Sequence, residues 1–158
     1  RVKEEFPDVE FWLAGERDPG NPSSISGKNV DLWKEDQLLD LLGHRTDMPD
    51  LFRKASIAVL PSYHEGLPMF LLEAAASGLP LVASDIPGCR QLVDHELNGF
   101  LVPVRDAEAL ARAIKKLIMD PQLRIKMGKN GREKVKKEFS QQVVLQRFEA
   151  LYQQIGML

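Results

Sequence analysis

A chain of 158 residues with 44% hydrophobic and 28% charged side chains has the size and composition of one globular domain, which excludes the fibrous and disordered classes. Its net charge of −2 gives no whole-molecule field for nucleic acid, so no nucleic-acid partner is expected. The single cysteine, Cys89, excludes an internal disulfide and a cysteine-based zinc site and fits the reducing cytoplasm.

Val2 to Phe6 reads as the end of an amphipathic helix, so an upstream segment is expected to precede it; these residues do not resemble a signal peptide. Val9 to Ala14 is a short apolar segment stopping at Gly15, the pattern of a strand that opens into a loop, and Glu16 to Lys28, rich in Gly, Pro, Ser and Asn, is that loop. Val30 to Glu35 reads as a short helix and Gln37 to Leu42 as a second strand ending at Gly43. His44 and Arg45 therefore follow a strand end. Asp47 to Ser56 is a helix with Leu51 and Phe52 on its apolar side.

Ile57 to Leu60 and Leu81 to Ala83 are continuous apolar runs, as expected of strands buried on both faces, and Met69 to Ser77 between them is an alanine-rich helix. Strand, helix, strand in that order predicts parallel βαβ units. Gly88 to Val93 is a short helix, and Gly99 to Val102 a last strand stopped by Pro103. Three helices follow, Asp106 to Met119, Leu123 to Glu138 and Ser140 to Ile155, with Asp106, Asp120-Pro121 and Ser140 as their starts. The predicted fold class is α/β: a doubly wound parallel sheet with a helical C-terminal tail, as one domain over residues 1–158.

Lys115 to Glu138 holds nine basic residues against three acids. That run reads either as a solvated helix face or as a peripheral contact with an anionic membrane or phosphate. No apolar run approaches the roughly 20 residues of a membrane span.

Ligands of such sheets bind at the carboxyl ends of the strands. Gly15-Glu16, Gly43-His44-Arg45, Pro61 to Pro68 and Ser84 to Gly88 follow four strands and are expected along one edge. Glu65 sits in the third of these loops and Glu73 about one turn inside the following helix, with seven residues between them. A helix start offers unpaired N–H groups and roughly half a positive charge, a natural seat for phosphate. Met69, Phe70 and Leu71 are the expected donors; Pro68, lacking an N–H, suits the first helical position, and Gly66 allows close approach of a ligand. Glu73 lies in the apolar run Leu71-Leu72-Glu73-Ala74-Ala75-Ala76, where a carboxylate is expected to need a partner or ligand.

The segment resembles the E-x7-E signature of the large retaining glycosyltransferase family of GT-B architecture, two Rossmann-like domains facing a cleft. The likeness extends to Gly43-His44-Arg45, Leu60-Pro61-Ser62-Tyr63-His64-Glu65-Gly66-Leu67-Pro68, Leu72-Glu73-Ala74, Gly78-Leu79-Pro80-Leu81-Val82, Ser84-Asp85-Ile86-Pro87-Gly88-Cys89 and Asn98-Gly99-Phe100-Leu101-Val102-Pro103, in the order of that family's C-terminal domain. Asp18 to Ser24 and Pro87 to Arg90 further resemble the bacterial enzymes that extend lipid-linked precursors of surface polysaccharide.

The resemblance implies a nucleotide-diphosphate sugar as donor substrate, retention of configuration, and partners comprising an N-terminal acceptor domain and an acceptor glycan or lipid-linked sugar. It implies that Glu65 contacts the donor sugar, that Glu73 accepts hydrogen bonds from the ribose, and that the Leu67 to Leu71 backbone binds the diphosphate. Gly15 is placed beside the donor, and His44 and Arg45 either flank the base or are surface residues. No Asp-x-Asp motif occurs, so neither a metal nor a resident cofactor is expected; Asp94-His95-Glu96 reads as a turn. A nucleotide-sensing module without catalysis, or a GT-B epimerase or phosphorylase, is the alternative reading.

Overall fold

In a computed structural model, residues 1–16, 20, 26–36 and 38–156 are described, the side chain of residue 34 excepted. Most of the Asp18 to Ser24 motif, and Gln37 at the expected start of the second strand, lie outside the described residues. The chain divides into two compact units, residues 1–48 and 49–158.

The first unit contains α1 (Val2–Glu5), β1 (Trp12–Ala14), α2 (Gly27–Glu35) and β2 (Asp40–Gly43). β1 and β2 pair in parallel, Trp12 opposite Asp40 and Leu13 opposite Leu41, with a register shift before Ala14 meets Gly43. Both strands are shorter than their apolar runs predicted. Trp12 and Leu13 remain 39% and 37% exposed, because two strands alone offer little cover to their own faces.

The second unit holds the main core. α3 (Met48–Lys54) leads into it, followed by β3 (Ala58–Leu60), α4 (Met69–Ala76), β4 (Leu81–Ser84), α5 (Pro87–Arg90), β5 (Gly99–Val102), α6 (Ala107–Met119), α7 (Pro121–Glu138) and α8 (Gln141–Gln154). The sheet order is β3-β4-β5, all parallel, with Ala58 beside Leu81 and Leu81 beside Gly99. β4 is the central strand, and Leu81, Val82 and Ala83 have no exposed surface, which explains their unbroken apolar sequence. Because β3, β4 and β5 run parallel, their carboxyl ends lie on one edge of this sheet.

Helix starts follow the sequence closely. The carboxylates of Asp106 and Asp120 accept the N–H groups of Ala109 and Leu123, each at 2.8 Å, and the Ser140 hydroxyl accepts from Val143 at 3.5 Å. α4 buries Leu71, Ala74 and Ala75 and packs against α7, where a Cβ at Gly128 would stand 1.9 Å from the Gly78 carbonyl oxygen. Glycine is what lets the two backbones meet there.

The turn before β5 is tied by polar groups. Buried Asn98 donates to the Leu92 carbonyl and accepts from the Asp94 N–H, both at 2.8 Å, while Lys134 of α7 pairs with the Asp94 carboxylate at 2.7 Å. Glu96, at φ 64, completes this turn, so Asp94-His95-Glu96 forms a turn as its sequence suggested. No helix of the described residues is long and apolar enough to cross a membrane.

Candidate functional site

The loop from β3 to α4 and the loop from β4 to α5 emerge from neighbouring parallel strands and meet. Tyr63, His64, Glu65 and Gly66 from the first, with Ile86 and Pro87 from the second, line a surface pocket of about 390 Å³. Its walls combine apolar groups (Tyr63, Ile86, Pro87) with the half-buried Glu65 carboxylate and the exposed His64 imidazole. That volume lies within the range of small-ligand sites.

α4 begins at Met69, and Pro68 takes the N-cap position with extended dihedrals, φ −73 and ψ 101, rather than the first helical position. No side chain caps this end and no acid sits in its first turn, so its positive dipole end is uncompensated. The Leu71 N–H is already committed, donating to the Pro68 carbonyl at 3.0 Å. Among the described residues no backbone acceptor faces the Met69 or Phe70 N–H, which narrows the expected phosphate donors from three to these two. Met69 and Leu67 are 55% and 40% exposed, and Phe70 leans on Phe52 of α3 with ring centroids 5.6 Å apart.

Glu73 lies in the second turn of α4, and its side chain is exposed, not enclosed as the apolar run suggested. Leu71, Ala74 and Ala75 occupy the buried face at helical spacing, which leaves residue 73 on the opposite one. Water therefore solvates this carboxylate.

In the first unit, Gly15 and Gly43 stand at the carboxyl ends of the paired strands, and the Gly15 N–H donates to the Gly43 carbonyl at 2.8 Å. His44 and Arg45 follow, both exposed, and Arg45 makes a bidentate pair with Asp47, Nε to Oδ1 at 2.8 Å. Its guanidinium already has an anionic partner.

Further groups pack around the pocket, and one of them, Arg105, was not singled out from sequence. The Arg105 guanidinium lies 5.2 Å over the Tyr63 ring, from a backbone position with φ 61. Arg90 pairs with Asp85 at 2.6 Å; this hydrogen bond holds the Asp85 carboxyl below its ordinary range and raises the guanidinium in turn. Both side chains are exposed, so the pair contributes little to stability. Cys89 is fully buried, and burial, reinforced by the negative charge of Glu65, pushes its thiol up to about 11. The Ser84 to Gly88 strand end had pointed to α5; nothing in the sequence marked Arg105.

Residues 1–120 match the family model described as Glycosyl transferases group 1. The chain belongs to that family. It is 35% identical over 85% of its length to an Escherichia coli UDP-Gal:alpha-D-GlcNAc-diphosphoundecaprenol alpha-1,3-galactosyltransferase, of which the match covers 34%. A Campylobacter jejuni N,N'-diacetylbacillosaminyl-diphospho-undecaprenol alpha-1,3-N-acetylgalactosaminyltransferase is 32% identical over 92% of the chain and 37% of that protein. The group 1 chain thus spans little more than a third of these relatives.

Among solved structures, the sucrose-phosphate synthase of Thermosynechococcus elongatus superposes with a TM-score of 0.84 at 31% identity, over 98% of this chain and 40% of its own. Anabaena HepE in complex with UDP superposes at 0.83 with 25% identity, over 93% and 42%. The α/β architecture of parallel sheets and helices is that of GT-B glycosyltransferases.

Proposed function

We propose that this group 1 domain holds the donor of a retaining, metal-independent glycosyltransferase: a nucleotide-diphosphate sugar, bound between the Glu65 pocket and the start of α4. The observation that carries the reading is the uncapped α4 N-terminus, with its free Met69 and Phe70 N–H groups, beside a pocket containing a carboxylate. A diphosphate would take those N–H groups and the dipole end. Glu65 would then orient the sugar hydroxyls and Glu73, solvated until the ligand arrives, would accept from the ribose.

Departure of a nucleoside diphosphate builds negative charge on phosphate oxygens and oxocarbenium character on the sugar. Fixed N–H donors aimed at the phosphates stabilise the first without reorganising. Glu65, next to the anomeric centre, would stabilise the second. Paired carboxylates in retaining glycosidases serve as nucleophile and acid, but a ribose ligand cannot do that work, so the two glutamates divide between sugar and nucleotide. The acceptors named for the two relatives, sugars on a polyprenol diphosphate, support a role in polysaccharide or lipid-linked glycan synthesis, and a place at the cytoplasmic face of a membrane is part of the same proposal.

Calorimetric titration with UDP tests the site. Glu73→Ala should weaken binding about tenfold or more, the loss expected for a hydrogen bond to a charged group. Glu65→Gln should leave UDP affinity unchanged while removing turnover. No binding by the wild type, or no effect of Glu73→Ala, would end the ribose assignment.

A further inference from the structure

Gly88 lies in α5, next to the pocket wall made by Ile86 and Pro87. A Cβ built on it would stand 2.3 Å from the Gly66 carbonyl oxygen, 2.4 Å from the Glu65 carbonyl oxygen and 2.8 Å from the Glu65 carbonyl carbon. All three are backbone atoms, so no rotamer change could relieve the overlap. Gly66, by contrast, has nothing within 4 Å of a built Cβ. The tight side of the contact is α5.

Three other buried glycines help to place this one. At Gly99 and Gly128 an added Cβ would strike the carbonyls of Leu81, in the central strand, and of Gly78, at the end of α4; those contacts hold regular elements together. Gly131 meets only side-chain and Cα carbons at 3.5 Å and beyond. Among these four glycines, only Gly88 faces atoms of the loop that presents the pocket carboxylate. Cys89, its neighbour, lies near enough to Glu65 to feel its charge, as the same contact requires.

We propose that Gly88 is a positioning residue for Glu65: having no side chain, it lets α5 press against the Glu65 and Gly66 peptides and so sets where the Glu65 carboxylate stands in the pocket. A side chain there would have to push both carbonyl oxygens from 2.3–2.4 Å to an ordinary contact beyond 3.4 Å, a retreat of about 1 Å. The loop is anchored at one end by β3 and at the other by α4, so the displacement falls on residues 61–68. Its catalytic consequence rests on the donor-site reading above. Misplacement of a reacting group by roughly 1 Å costs on the order of 100-fold in rate.

The decisive experiment is a crystal structure of Gly88→Ala superposed on β3, β4 and β5. The expected result is a shift of the Glu65 and Gly66 carbonyl oxygens by about 1 Å, with α4 unmoved. A loop left in place while α5 backs away would overturn the proposal. Thermal melting with Gly128→Ala as comparison covers the case of a variant too unstable to crystallise: a loop yields where a helix pair cannot, so Gly88→Ala should retain most of its melting temperature. A loss as large as that of Gly128→Ala would also overturn the proposal, since the glycine would then serve general packing.

Function gives a readout that packing alone would not move. Gly88→Ala should leave the calorimetric affinity for UDP within about twofold, because the Met69 and Phe70 N–H groups and Glu73 ride on α4, while turnover of UDP-galactose, the donor named for the Escherichia coli relative, by the chain joined to its acceptor domain falls about 100-fold. Equal losses in both, or in neither, count against positioning. Failure of the donor-site reading has a separate signature, full turnover in Glu65→Gln, and leaves the crystallographic comparison as the judge of the contact.

Discussion

Burial pushes the Cys89 thiol from an ordinary 9.0 up to about 11, with the charge of Glu65 adding to the shift. A thiol whose pKa is raised by folding contributes its full stability below the unfolded value, near 9, and loses it as pH rises through the folded value, near 11. Two pH units set a ceiling of about 3 kcal/mol on that loss. Urea midpoints measured at pH ~8 and ~10.5 should fall more steeply for the wild type than for Cys89→Ala, although the alanine variant, having lost buried volume, starts lower. Equal slopes would show that the thiol does not titrate as burial requires. Protonated and enclosed, Cys89 should also resist thiol reagents at neutral pH until denaturant opens the fold.

The same scale shows what the sequence could reveal of the site. The Glu65 and Glu73 spacing, with Gly66 and Pro68 between strand and helix, was enough to locate the pocket loop and the start of α4. The expectation that Glu73 would be enclosed came from treating its neighbours as a linear run, whereas helical period sorts Leu71, Ala74 and Ala75 to one face and residue 73 to the other. Arg105 over Tyr63 was out of reach, because the contact joins residues 42 positions apart through a left-handed backbone position that no local pattern announces.

Among the elements, α4 and α7 form the helix contact on which the second unit depends most visibly. Gly128 approaches the Gly78 carbonyl so closely that a methyl group would overlap it, while three residues on, Gly131 leaves ordinary contact distance to Ala75. Gly128→Ala should therefore destabilise by about 2 kcal/mol or more, as overpacking does. Gly131→Ala should be neutral or stabilise by up to about 1 kcal/mol, the gain in helix propensity. Chemical denaturation of the two variants checks both, and a reversed order would refute the packing account. Helix ends were legible because Asp106, Asp120 and Ser140 act through backbone groups only three residues away. The glycines were not, because their partners are distant in sequence.

Across the whole molecule, the strand and helix order was readable from apolar runs and breakers, and β4, the most continuous run, is the most buried strand. Division into a two-stranded and a three-stranded parallel sheet was not, since sequence shows which segments extend and not which of them share hydrogen bonds. The match to group 1 relatives covers only 34% and 37% of those proteins. If the reading of the α4 site is right, these residues supply N–H donors, a dipole end and two carboxylates, but no cation among the site groups proposed to neutralise the leaving diphosphate and no surface proposed to hold the acceptor. On that reading the 158-residue chain alone should bind UDP weakly and transfer no sugar from UDP-galactose to a diphosphoundecaprenol-linked acceptor, the donor and acceptor named for the Escherichia coli relative, whereas the chain joined to an N-terminal acceptor domain should bind UDP more tightly and turn over a donor. Radiolabelled transfer assays on both decide it: measurable transfer by the chain alone would mean that the α4 N-terminus and Glu65 suffice for chemistry without further charge on the phosphates.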